Sequence, residues 1–309
     1  LRVASMMRLR VSVTTSTTAF LLVDNNLIGR TTDLDITGCL LHTPASSVDR
    51  PRRVVSGPMT ATVTELCISE RFRGPPGTAN GGVACGSLAV ALGATAEVTL
   101  RRPLPLGRPL AVRRDGAGTL LVEDRGVPLA EARTAAGVEL AAPGTVTRSE
   151  ALAAAGRARY YEDPVFPGCF VCGPAREPGD GLRILPGPAG GSLWAAPWTP
   201  DPSVTGGDGM VRPEVVWAAL DCPGGIAAGE AAGLPADRAL LLGRMTASLG
   251  TRPRAGDDCR VVAWLAGRDG RKLTAGSALL GPGGAVLAAA RAVWLVVPRP
   301  APTAAGGPA

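Results

Sequence analysis

The segment Gly-Val-Pro-Leu-Ala-Glu-Ala-Arg at 126–133 returns at 284–291 as Gly-Ala-Val-Leu-Ala-Ala-Ala-Arg. Both fit Gly-x-x-Leu-Ala-x-Ala-Arg, and their offset of 158 residues (284 minus 126) suits a duplicated domain rather than a solenoid. The order of elements repeats with it. In the first half 60–72 alternates as a strand and 80–93 reads as a helix. Short strands follow at 94–100, 109–114, 118–124 and 128–135, separated by Gly, Pro or charged turns. In the second half 181–186 and 192–198 read as strands and 213–232 as a helix broken at Pro223. Four more strands are predicted at 239–250, 259–267, 272–280 and 285–297. The fold must therefore accommodate one helix and an antiparallel meander twice over.

Composition narrows this further. Aromatic residues make up only 4% of the chain, so a core has to be built from Ala, Val and Leu, which suits a sheet packed on an Ala-rich helix. The formal charge of +6 is dispersed, with no basic run longer than Arg101-Arg102 or Arg113-Arg114, which argues against nucleic acid as a partner. No apolar run reaches the roughly 18 residues of a membrane span, and the Thr- and Ser-rich opening makes a poor signal peptide. Seven cysteines, an odd number, do not resemble a secreted disulfide framework, so a reducing cytoplasm is expected. Residues 1–57 hold neither periodicity for long and read as a poorly ordered extension; 148–161 reads as a short surface helix within a linker.

The one histidine, His42, falls in that extension, so a Ser-His-Asp or Cys-His hydrolase has no base. Asn80-Gly81-Gly82-Val83 opens the first helix. Its leading amides lack intrahelical partners and stand at the positive end of the helix dipole. Two readings stay open: Asn80 as an ordinary cap with glycines for a tight entry, or a glycine-lined oxyanion hole for a substrate carbonyl. Ser87, one turn along, faces the same pocket or packs as a small core residue. Arg71 and Arg73 flank the loop before this helix and are candidates for phosphate contacts, or simply a solvated basic face. Cys169 and Cys172 form a lone Cys-x-x-Cys with no second pair to complete a metal site, so no metal and no cofactor are expected.

One helix followed by a curling meander, twice, is the layout of the hotdog fold. The stretch Cys-Phe-Val-Cys-Gly-Pro followed by Gly-Leu-Arg at 169–183 resembles the segment leading into the first strand of many hotdog thioesterases. The resemblance covers roughly 59–135 and 165–298. It implies an α+β double hotdog, two antiparallel sheets each wrapping a central helix. The implied boundaries are an extension at 1–57, hotdog domains at 58–136 and 163–298, a linker at 137–162 and a disordered tail at 299–309.

Phenylacetyl-CoA-type members of the family carry a His-Gly-Gly motif followed, nine positions after the His, by an Asp. Here Gly81 and Gly82 match, Asn80 replaces the His, and the acid position holds Ala89. On the second helix Asp221 takes the acid position, nine after Arg212, while Pro213 and Glu214 replace the glycines. Each half keeps what the other lacks. Because family sites are composite, the resemblance implies one site in which Gly81 polarises a thioester carbonyl, Asn80 positions it, and Asp221 activates water or attacks. The alternative for Asp221 is a cap for a helical segment restarting at Pro223. Substrate contacts are placed at Gly82, Val83, Ser87, Arg71, Arg73 and Trp217. The expected function is hydrolysis of an acyl-CoA or acyl-carrier thioester by a monomer or homo-oligomer of double hotdogs; the alternatives are a non-catalytic acyl-thioester-binding protein and a structural scaffold.

Overall fold

The computed structural model describes residues 64–301, Ala141 excepted. The expected extension at 1–57, His42 and most of the tail lie outside the described residues. The chain runs β1 (Thr64–Leu66), α1 (Gly81–Leu92), β2 (Ala96–Leu100), β3 (Leu110–Arg114), β4 (Leu120–Asp124) and β5 (Val127–Thr134). After α2 (Arg148–Ala155) come β6 (Gly187–Gly190), β7 (Leu193–Trp198), α3 (Pro213–Ala231), β8 (Arg238–Leu249), β9 (Cys259–Asp269), β10 (Lys272–Leu280) and β11 (Val286–Pro298). The fold is α+β.

All strand pairings between named strands are antiparallel, and they join into one eleven-stranded sheet in the order β1-β3-β4-β5-β2-β8-β11-β10-β9-β7-β6. This corrects the expectation of two sheets. Without a partner, β2 and β8 would each expose a row of unpaired amides and carbonyls. Instead they pair with each other, Glu97 opposite Thr246, Val98 opposite Met245 and Thr99 opposite Arg244. Glu97 reinforces this seam by meeting Arg133 on β5 at 2.5 Å and Arg244 on β8 at 3.5 Å. Read outward from the seam, the order is β2-β5-β4-β3-β1 on one side and β8-β11-β10-β9-β7-β6 on the other. The repeated Gly-x-x-Leu-Ala-x-Ala-Arg motif falls at the entry to β5 and to β11, which occupy equivalent places in the two runs.

α1 is apolar nearly all round and buries most of its length, with Val83, Cys85, Leu88 and Leu92 in the core and Val90 exposed near its end. Gly93, left-handed at φ 75°, ends it by donating to the Ala89 and Val90 carbonyls. α1 packs on α3 through Gly82 and Gly86, one turn apart. A methyl at Gly82 would lie 2.5 Å from Asp221 Cβ and 2.7 Å from Ala218 Cα. At Gly86 it would lie 2.6 Å from Glu214 Cα and 2.9 Å from Trp217 Cβ. The contacted positions 214, 217, 218 and 221 form one face of α3. The missing side chains let the two backbones approach, and Trp217, assigned above to substrate, is buried in this helix contact.

Three elements depart from expectation. The helix at 213–231 is continuous through Pro223. Ser277 Oγ on β10 donates to the Leu220 carbonyl at 2.7 Å, holding the turn that leads into the proline against the sheet. Residues 181–186 form no strand: the Leu182 and Ile184 amides donate instead to Phe170 and Val171 carbonyls at 2.8 and 2.9 Å. The alternation there reflects the burial of Leu182 and Ile184, not pairing in the sheet. The strand predicted over 60–72 is, among the described residues, confined to Thr64–Leu66, because Ser69 caps a 3-10 turn at Glu70–Phe72. Of the described cysteines, Cys67 is disulfide-bonded and the other five are free thiols. No helix among the described residues is long and apolar enough to cross a membrane.

Candidate functional site

The site lies where the N-terminus of α1 meets the middle of α3. Asn80 caps α1, its Oδ1 accepting from the Val83 amide at 3.0 Å. Its Nδ2 points the other way and donates to Asp221 Oδ2 at 3.2 Å. The Gly82 amide donates to that same oxygen at 2.8 Å. Asn80 is thus both the ordinary cap and a contact of the acid. Asp221 sits in the middle of α3 and caps no segment of its own helix, so the alternative of a cap before Pro223 does not hold; it accepts instead from the first turn of α1.

Asp221 is 1% exposed, and its second oxygen, Oδ1, is buried without a hydrogen-bond partner among the described residues. Desolvation pushes its carboxyl up to about 7, against the opposing pull of the Gly82 amide. The nearby Cys169 raises it further and Asn80 lowers it. A carboxylate costly to bury is retained with only half its acceptors used, an arrangement suited to proton transfer near neutrality.

Cys169 and Cys172 reach the same place from the segment before β6, and Cys222 joins them from α3, a meeting no local spacing announces. Cys169 Sγ and Cys222 Sγ are 3.7 Å apart, and Asn80 Nδ2 lies 3.5 Å from Cys222 Sγ. Hydrogen bonds from Cys172 and Cys222 hold the Cys169 thiol well below its ordinary range, while Cys222 and Cys172 are pushed up.

Two cavities adjoin here. One, of about 160 Å³, is lined by Asn80, Gly81, Asp221, Cys169, Arg101 and Arg102 among others. The other, of about 240 Å³, is mostly apolar and includes Tyr160, Val165, Gly225, Ile226, Leu234 and Ala239. Phe166, Cys172, Cys222, Leu240 and Trp294 line both. The indole Nε1 of Trp294 is buried with no partner among the described residues. The Gly81 amide, on the wall of the smaller cavity, likewise makes no hydrogen bond to a described residue. A methyl on Gly81 would meet Leu242 at 2.9 Å, so the bare backbone borders the cavity only because the residue is glycine.

The other expected contacts fall elsewhere. Val83 is buried in the core and Ser87 is half-buried on α1; neither lines either cavity. Arg71 and Arg73 do not line the cavities. Arg71 is a tether: it donates to the Gly179, Asp180 and Ser203 carbonyls at 2.8, 3.2 and 3.0 Å and lies over the rings of Phe72 and Phe170. Arg73 Nε donates to the Glu70 carbonyl at 3.3 Å. The arginines at the smaller cavity are Arg101, paired with Glu131 at 2.8 Å, and Arg102, which donates to the Pro128 carbonyl at 3.2 Å. Their adjacency is visible in the sequence, but their place beside the helix entry depends on the path of β2.

Neither a protein-family model nor a curated protein sequence matches the chain. Solved structures do. A presumed thioesterase from Novosphingobium aromaticivorans superposes with a TM-score of 0.50 at 14% identity, covering 75% of this chain and 94% of its own. An acyl-CoA thioesterase II from Mycobacterium marinum superposes with a TM-score of 0.50 at 13% identity, covering 77% of this chain and 94% of its own. At these identities the likeness is one of fold: a hotdog-like topology of helices on a large antiparallel sheet.

Proposed function

We propose that the chain is a double hotdog that hydrolyses an acyl thioester, carried by coenzyme A or a carrier protein, at one composite site between its halves. The observation that carries this reading is the 2.8 Å hydrogen bond from the Gly82 amide to Asp221 across the α1–α3 contact. It sets the glycine-rich helix entry of one half against the acid of the other. In this reading the thioester carbonyl lies against the unpaired Gly81 amide, which stabilises charge developing on oxygen. The buried carboxylate of Asp221 takes a proton from the water that adds to the carbonyl carbon and returns it to the thiolate as the carbon–sulfur bond breaks, or attacks the carbon itself, expelling the thiolate and leaving an acyl anhydride that water then cleaves. Asn80 holds the carboxylate in place while capping α1. The apolar cavity receives the acyl group, and Arg101 and Arg102 stand toward the phosphates of the departing carrier arm.

A second reading, a non-catalytic acyl-thioester binder, is favoured by the engagement of Asp221 Oδ2 with both Gly82 and Asn80. Thiol release across acyl-CoA chain lengths separates the two: turnover supports the hydrolase, and binding without turnover supports the binder. For the hydrolase, an Arg101→Ala/Arg102→Ala double variant should raise KM for acyl-CoA roughly three- to tenfold, as loss of exposed phosphate contacts does. Its KM for the same acyl group on pantetheine, which lacks the nucleotide phosphates, should stay unchanged. Equal shifts for both substrates would mean that the arginines act through the fold.

A further inference from the structure

We propose that Cys169, Cys172 and Cys222 form a binding site for a thiophilic divalent cation of the zinc class, with the fourth coordination position open to the adjoining cavities. The three sulfurs all lie within 4.8 Å of one another, and all three residues are buried. Zinc–sulfur bonds of about 2.3 Å in a tetrahedral site place ligand sulfurs about 3.8 Å apart. The Cys169 and Cys222 sulfurs stand at 3.7 Å. A disulfide would bring them to about 2.05 Å.

The turn that carries the first two cysteines is shaped as a ligand loop. The Gly173 amide donates to the Cys169 carbonyl at 2.9 Å, closing the turn over the two cysteines. A methyl at Gly173 would lie 2.4 Å from the Cys169 oxygen and 2.5 Å from the Pro167 oxygen, so the turn closes only with glycine after the second cysteine. A donor aimed at sulfur favours the thiolate, the form that ligates metals, and fixes its direction. Asn80 Nδ2, 3.5 Å from Cys222 Sγ and 3.8 Å from Cys169 Sγ, adds a side-chain donor from a third part of the chain.

Thiolate sulfurs select a borderline-soft ion such as Zn²⁺ over Mg²⁺ or Ca²⁺, and each thiol gives up its proton on ligation. Three protein ligands leave one position of a tetrahedron free. Cys172 and Cys222 line both cavities, so water or a substrate atom can reach that position. The ion would also bind the 169–172 turn to α3 one residue from Asp221.

This inference goes beyond the thioesterase reading and does not rest on it, because metal content is measured without turnover. The full chain is produced with added zinc and purified under reducing conditions without chelators. Elemental analysis should find about one zinc per chain, falling to background in Cys169→Ser and Cys222→Ser. Replacement by Co²⁺ in the wild type should give thiolate-to-cobalt charge-transfer bands and the intense visible bands of a tetrahedral site, a readout independent of how the variants fold. Wild type that retains no zinc after loading and desalting would overturn the proposal. So would a cobalt spectrum without thiolate bands, or peptide mapping that finds Cys169 and Cys222 joined as a disulfide.

Discussion

Asp221→Asn is expected to lower kcat for thioester hydrolysis by about 10²–10⁴-fold, the contribution of a positioned acid–base group, without lowering the melting temperature. Both halves of this expectation come from the same geometry. The carboxylate is 1% exposed, with one oxygen lacking a partner among the described residues, so the folded protein bears a desolvation cost that a neutral amide removes. Asparagine keeps the shape and can still accept from the Gly82 amide through its remaining oxygen. Activity and stability should therefore part company, as they do at sites held against the preference of the fold. Thiol release and thermal unfolding on the same preparation check this. Full turnover in the variant would remove Asp221 from the mechanism.

Gly82→Ala should be the most damaging single methyl in the α1–α3 contact. The added carbon would meet Asp221 Cβ at 2.5 Å, Ala218 Cα at 2.7 Å and the Trp217 carbonyl oxygen at 3.0 Å. None of these is the free end of a flexible side chain, so the helices themselves have to part. Overpacking of this kind costs about 1–3 kcal/mol. Separation also lengthens the 2.8 Å hydrogen bond to Asp221, so kcat should fall together with stability. Gly86→Ala is the control. It meets Glu214 Cα at 2.6 Å and Trp217 Cβ at 2.9 Å one turn away, and should lose comparable stability while keeping more of its activity. Equal activity losses in the two variants would show that helix spacing alone, not the Gly82–Asp221 bond, governs turnover.

Much of this architecture was legible locally. The predicted helix at 80–93 differs by one residue at each end from Gly81–Leu92, because Asn80 and Gly93 are strong stop signals of opposite kinds. The strand predicted at 272–280 coincides with β10, bounded by a tight turn at Gly270 and by Gly281. What escaped was non-local. The β2–β8 pairing joins residues far apart in sequence, and nothing within either strand states that its edge will be used. Arg71 looked like a phosphate contact because it flanks the glycine loop, yet carbonyls at 179, 180 and 203 claim it. Cys222 can meet Cys169 and Cys172 only through the tertiary fold, because 49 residues separate it from Cys172 (222 minus 172, less one). The meeting of Asp221 with the Gly82 amide is implied only by the family resemblance, whose glycine-and-acid spacing is laid on both helices in turn, and by no spacing within the chain itself.

The seam between β2 and β8 has a consequence for behaviour at low concentration. A site divided between separate subunits falls apart when the protein is diluted below the dissociation constant of the pair. Here the glycine-bearing and acid-bearing parts belong to a single polypeptide and are joined through three residue pairs of one continuous sheet. Their encounter is first order. Specific activity should consequently be constant on serial dilution, whatever larger assembly the chain enters, and no exchange of partners can mix an intact half with a damaged one.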